Sequence, residues 1–379
     1  PAENEGIEFN HNREVQGQVQ ELRNAVVSLG DGGTTTGVRV ELGTTYPTRV
    51  LFVNPGPPSG SIRTFGTRRD AVNVSVRNAS ASGDAGDFWD GDPHNFTTGG
   101  LAYEPNYNLY TNAPRTTYEN SVLYNDFGAR NLTLAGQTLV DGNRITLVTL
   151  NGSVARTQTE ATSVDVRPIT ASETRLGVAN STATDRLTVR FPTRLSAQNW
   201  TTLLEEEFVA NGGHVVNVSP GPGVAGTDLQ LVSVHFERGP QYRLRLARVG
   251  VGTKVDSTTD RAYLARVDGN GSSVPEGTSR ELVVEVRDRF DNPHSGVRVE
   301  AGTTRGAVTS ATTTGADGEA RLTYVAPTNV DGSAKAATVN VSYEVDPASV
   351  GPAFEHESPA NVTFDLAVDN TNRSGTGGG

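Results

Sequence analysis

From Val38 onward the chain is a succession of short runs in which apolar and polar residues alternate or β-branched residues cluster. They read VRVEL at 38–42, RVLFV at 49–53, AVNVSV at 71–76, NSVLY at 120–124, RNLTL at 130–134, RITLVTL at 144–150, SVDVRPI at 163–169, RLTVRF at 186–191, LQLVSVHF at 229–236 and YRLRLARV at 242–249. A period of two sends successive side chains to opposite faces of an extended strand, so each run builds one apolar sheet face. Turn signals separate the runs. Asp141-Gly142-Asn143 predicts a hairpin into 144–150, and the clusters Asn54-Pro55-Gly56-Pro57-Pro58 and Ser219-Pro220-Gly221-Pro222-Gly223 mark loops. The expected class is mainly β, in stacked or sandwiched sheets.

Two segments carry a helical period instead. In 10–29, Val15, Val19, Leu22 and Val26 recur at intervals of four, three and four on one stripe, opposite Arg13, Gln16, Gln20, Glu21 and Arg23. Asn10 or Asn12 can cap this amphipathic helix and Gly30 ends it. In 196–212, Ser196 caps, Trp200, Leu203, Leu204 and Phe208 form the stripe, and Asn211-Gly212-Gly213 stops the helix, which is expected to cover a sheet face or edge. The chain turns polar around 255–260 and then opens a new strand series. After Tyr343 it drifts to Pro, Asn, Ser and finally Gly. The organisation expected is an N-terminal amphipathic helix over 1–30, a large β domain over 38–252 with one covering helix, a sandwich over 261–343, and an extension and linker over 344–379.

A net charge of -11 argues against a nucleic-acid partner, because a phosphate backbone is bound by a basic face that releases its counterions. Lysine occurs only at Lys254 and Lys335, the remaining basic residues being arginine, while Asp, Thr, Gly and Val abound. That bias resembles the proteome of a salt-adapted archaeon, in which carboxylates keep surfaces hydrated. Without cysteine there is no disulfide, thiol nucleophile or thiolate metal site. No run of apolar residues is long enough to span a bilayer, so a membrane is expected to be met only through a segment upstream of residue 1. Asn-x-Ser/Thr sequons are dense, at Asn73, Asn78, Asn95, Asn131, Asn151, Asn180, Asn199, Asn217, Asn270, Asn340, Asn361 and Asn372, and such sequons are used only on exported chains.

Residues 261–343 carry ELVVEVRDRFDNPHSGVRV at 281–299 and TGADGEARLTY at 314–324. Both stretches resemble the bacterial Ig-like type 1 domain of invasins and intimins, which implies an Ig-like β-sandwich. Asn292-Pro293 and Gly296 form a turn between strands, and Asp317-Gly318 turns into the alternating strand 319–324. The N-terminal stretch, Ile7 to Asn12 with the helix behind it and then 49–60 (RVLFVNPGPPSG), is similar to haloarchaeal surface proteins whose precursors carry a type IV pilin-like hydrophobic segment. That resemblance implies an anchored position at the cell surface and brings no enzymatic activity.

Candidate sites are few. Asp84, Asp87, Asp90 and Asp92, around Gly turns, supply oxygen donors that Ca²⁺ accepts, although their spacing is not that of an EF-hand and a solvated acidic loop explains them as well. Trp89 beside them, and Tyr107 and Tyr110 in the segment 102–124 rich in Tyr and Asn, are contact candidates for a protein or glycan, with packing as the alternative. The six histidines, at 11, 94, 214, 235, 294 and 356, show no helical zinc spacing, and no nucleophile elbow, P-loop or dinucleotide fingerprint occurs. The expectation is a non-catalytic extracellular envelope protein, an adhesin or surface scaffold, without a cofactor unless Ca²⁺ binds. Its partner would be an envelope protein, a surface glycan or another copy of itself. A pilin-like filament subunit, which would bury the helix stripe against other copies, and a secreted hydrolase using Asp84, Asp87 and Asp90 are the alternatives.

Overall fold

The computed structural model describes residues 2–30, 33–48, 54–67, 72–328, 330, 335–343 and 359–370. The run at 49–53, His356, the sequon at Asn372 and the glycines of 375–379 lie outside them. The alternating runs become strands, and the chain is mainly β. It divides into two compact units, one of Pro1–Ser80 with Gly91–Thr258, the other of Ala81–Asp90 with Thr259–Gly379.

In the first unit, helix α1 (Ala2–Leu29) is a core element rather than a separate N-terminal segment. Val15, Val19, Leu22, Val26 and Leu29, each 3% exposed or less, share one apolar cluster with Val40, Val164 and Val249 of one sheet and with Ile62, Leu101 and Tyr118 of another. The first of these sheets runs Thr36–Glu41, Ala161–Thr170, Tyr242–Gly252, Arg144–Ser153, Val140–Asp141. Its centre is a parallel pair in unbroken register from Arg144↔Arg243 to Ser153↔Gly252. The hairpin at Asp141-Gly142-Asn143 forms as expected, with Gly142 at φ 57°. The second sheet runs Ala155–Gln158, Ser59–Phe65, Gly100–Asn106, Arg115–Glu119, Val122–Asp126, Asn131–Ala135. At the helix end, Arg245 from the central strand donates to the Gly30 carbonyl at 2.5 Å, a cation placed where the helix dipole is negative.

The third sheet runs Val215–Gly223, Gln230–Phe236, Thr188–Thr193, Val72–Arg77, His94–Thr98. Helix α2 (Ala197–Leu203) packs Trp200 edge-on against Phe191 at 4.6 Å, and the indole N–H donates to Thr193. Ser196 and Asn199 form a capping box. The helix is shorter than its sequence pattern implies. After Leu204 the chain continues as two 3₁₀ turns, Glu205–Glu207 and Val209–Asn211, and Phe208 stands between them in extended conformation.

The second unit is an Ig-like sandwich. One sheet holds Arg261–Asp268, Ser279–Asp288, Glu319–Val325 and Ala307–Val308. The other holds Ser273–Pro275, Asn361–Asp369, Lys335–Ser342, Arg298–Thr303 and Ala311–Thr313. Residues of both sheets, among them Leu282, Val284, Leu322, Val339 and Phe364, form one core. The boundary expected at 343 is corrected here. The strand Asn361–Asp369 belongs to the sandwich, pairing with Lys335–Ser342 from Lys335↔Val368 to Ser342↔Asn361 and burying Val362, Phe364, Leu366 and Val368. A second correction concerns 81–90, assigned by sequence to the large β domain. Those residues pack within the sandwich unit.

Candidate functional site

The N-terminal half of α1 continues the buried stripe with polar residues. Asn4, Glu8, His11 and Asn12, each 5% exposed or less, precede Val15 at helical intervals. Glu8, 0% exposed, accepts the backbone amides of Asn108, Leu109 and Tyr110 at 2.9, 2.8 and 2.6 Å and the hydroxyl of Tyr46. Burial pushes this carboxyl up, but the hydrogen bonds from Tyr46, Tyr110, Asn108 and Leu109 outweigh it and hold the group below its ordinary value. His11 Nδ1 lies 2.7 Å from the Tyr107 hydroxyl. Burial lowers the histidine's affinity for a proton and pushes the Tyr107 phenol up to about 12. Tyr107 and Tyr110 stack on each other at 6.1 Å, and Phe9, 44% exposed, meets Tyr110 edge-on. The two tyrosines are half-buried against the helix, and their segment is pinned from beneath by Glu8.

The acidic turn is arranged differently from a ligand set. Asp84 sits in the 3₁₀ turn Gly83–Asp87, and its carboxylate receives Arg266 at 2.6 and 3.0 Å as well as the Arg266 amide at 2.7 Å. Asp90 and Asp92 are exposed and Asp87 is half-buried. Among the described residues no group of three or more His, Asp or Glu side chains is placed to hold a metal ion. Trp89, a contact candidate by sequence, is 0% exposed, so it has no surface to offer. Phe88 meets Trp89 edge-on and stacks on Tyr263 at 5.9 Å and 19°. The physical reason is plain: adjacent aromatic residues on a short turn are worth more packed than wetted.

A second charged cluster occupies the turn that carries the Ig-like resemblance. Asp288 Oδ1 accepts the amides of Phe290 and Asn292 at 2.8 and 3.0 Å, closing the turn in which Asp291 takes φ 63°. Asp291, 5% exposed, accepts the Tyr263 hydroxyl and lies 3.3 Å from Arg287, which also pairs with Glu285 at 2.9 Å. Burial pushes Asp291 up to about 6 despite the Arg287 cation. Gly318, at φ 74°, lies so close to this turn that a Cβ there would stand 2.9 Å from the His294 nitrogen.

The sequons divide by burial. Asn73, Asn95, Asn131, Asn217 and Asn270 are exposed, Asn78, Asn180, Asn199 and Asn361 are half-buried, and Asn151 and Asn340 are buried within strands. Sequence reasoning missed Glu8, Arg266 and Arg287, the charged partners of these clusters. The one signal available was that Asn4, Glu8 and His11 extend the spacing of the valine stripe.

No family model matches the chain, and no curated protein matches it significantly. Among known structures, it aligns with domains 4 and 5 of the S-layer protein SbsC at 15% identity, covering 37% of this chain and 64% of that one, with a TM-score of 0.19. It aligns with the D0-D1 domain of intimin at 14% identity, covering 49% and 88%, with a TM-score of 0.19. The Yersinia pseudotuberculosis adhesin InvE gives 12% identity, 54% and 53% coverage and a TM-score of 0.22. The chain thus spans less than two thirds of the S-layer fragment and about half of InvE.

Proposed function

We propose that the protein is a non-catalytic component of the outer cell envelope, an adhesin or surface scaffold built from two β units. The observation that carries this reading is the burial of the α1 stripe inside its own unit, from Val15 to Leu29. A filament subunit would need that stripe to pack against neighbouring copies, whereas a free-standing module needs it in its core. Exposed sequons at Asn73, Asn95, Asn131, Asn217 and Asn270 support export. The Ig-like sandwich supports a spacer role, since such a unit holds its neighbours at a distance without requiring a chemical step. Of the carboxylates that a hydrolase would use, Asp84 is already engaged by Arg266. The test is protease shaving of intact producing cells, with immunodetection of both units and of sheared filaments. Cleavage on intact cells with no signal in the filaments is the expected result. Full protection until lysis would overturn the reading, and recovery in sheared filaments would replace the scaffold with a subunit.

A further inference from the structure

The third sheet buries Val74, Val76, Val189, Phe191 and Val232 on one side. Period-two alternation therefore turns Asn73, Ser75, Arg77, Asn95 and Arg190 to the other, where they line an open groove of about 390 Å³. The register sets Arg190 opposite Ser75 and Thr188 opposite Arg77. Arg77 and Arg190 are thus diagonal neighbours on adjacent antiparallel strands, roughly 7–8 Å apart at their backbones, and both line the one groove.

Neither guanidinium has an ion-pair or hydrogen-bond partner among the described residues, and Arg190 Nε is buried without an acceptor. No carboxylate lines the groove. Three other arginines in this acidic chain are closely matched, Arg115 with Asp126, Arg194 with Asp228 and Arg266 with Asp84, each at 2.6 Å. A desolvated charged donor with nothing to bond costs free energy that an incoming oxyanion would recover. Gly221, on the edge strand two places from that of Arg190, leaves room beside this guanidinium, since a Cβ there would stand 3.4 Å from Arg190 Nη2.

We propose that this groove binds a sugar bearing an oxyanion, a uronate or sulfate ester of an acidic polysaccharide, clasped between Arg77 and Arg190. Asn73, Ser75 and Asn95 offer bonds to hydroxyl groups, and Val72, Pro93 and Leu231 offer apolar surface to ring C–H faces. A nucleic acid, a long polyanion bound through an extended basic face, is disfavoured by a molecule of net charge -11, whereas two cations suffice for the oxyanion of one sugar. The site is independent of where the protein resides.

The test is titration calorimetry of the full chain, produced without glycans, with trigalacturonate, with a sulfated trisaccharide and with neutral galactotriose. At least one acidic sugar is expected to bind ten times or more tighter than the neutral one. Arg77→Gln and Arg190→Gln should each weaken it at least tenfold without lowering the melting temperature, and Arg156→Gln, an exposed arginine on another sheet, should leave it unchanged. If Arg190→Gln fails to fold, exposed Arg77→Gln decides. Absence of binding to both acidic sugars, equal binding of the neutral one, or equal loss in Arg156→Gln overturns the proposal. Because Asn73 and Asn95 stand at the groove, a glycan on this chain is one source of the ligand. In that case glycosylated protein binds the acidic trisaccharide only after deglycosylation, whereas with an external polysaccharide both forms bind.

Discussion

Two buried carboxylates show how hydrogen bonding and desolvation decide a residue's role. Glu8 collects four donors, and its carboxyl lies below its ordinary value. A depressed folded-state value contributes stability that is present above the unfolded value and lost as pH falls through the folded one. Glu8→Gln removes the charge but keeps the size, and should cost the first unit about 2 kcal/mol at neutral pH, read by urea denaturation. Asp291 runs the other way. Burial raises it to about 6, so the native state holds a proton that the unfolded state, with a value near 4, has released. Stability from this residue therefore rises as pH falls from about 6 toward 4, by up to about 3 kcal/mol. The measurable quantity is wild type minus Asp291→Asn across that window, because Glu8, Asp228 and Asp256, all lowered, pull in the opposite sense in both proteins. A difference that stays flat between pH 4 and 6 would contradict the protonated, buried assignment.

At the scale of elements, periodicity was legible wherever the buried face was apolar and silent wherever it was polar. The valine stripe of α1 was readable because Val15, Val19, Leu22 and Val26 mark it. The helix start was not, because Asn4, Glu8 and His11 occupy the same face and hydrophobic periodicity is blind to them. The strand Asn361–Asp369 has clean alternation in Val362, Phe364, Leu366 and Val368, yet it lies in a region of Pro, Asn and Ser that reads as a linker. Composition drowned a local signal there. Leu22→Ala should cost about 2–5 kcal/mol through the cavity left between two sheets, and Phe364→Ala about 3–5 kcal/mol. Thermal denaturation checks both. If Phe364→Ala left the sandwich as stable as before, the strand would be dispensable and the linker reading would return.

At the scale of the molecule, what no local pattern could disclose was that ten residues near position 85 join a sandwich whose strands begin after 258. Nothing in GDAGDFWDGD distinguishes a solvated acidic loop from a packed one, since the deciding partners, Arg266 and Tyr263, are remote in sequence. The segment contributes the Asp84–Arg266 pair, the Trp89 indole at 0% exposure and the Phe88 stack on Tyr263. Asp84→Ala leaves Arg266 facing a vacated carboxylate site and should destabilise the sandwich by about 3 kcal/mol, less than a fully buried pair because Arg266 keeps some solvent. Amide hydrogen exchange separates the units. Exchange should quicken in Arg261–Asp268 and Ser279–Asp288 of the sandwich, while Arg144–Ser153 in the first unit stays protected. Millimolar Ca²⁺ or a chelator should alter neither pattern, since Asp84 already has its cation in Arg266. A solvated loop would predict no change in Asp84→Ala anywhere, and a calcium loop would predict that chelation reproduces the mutant.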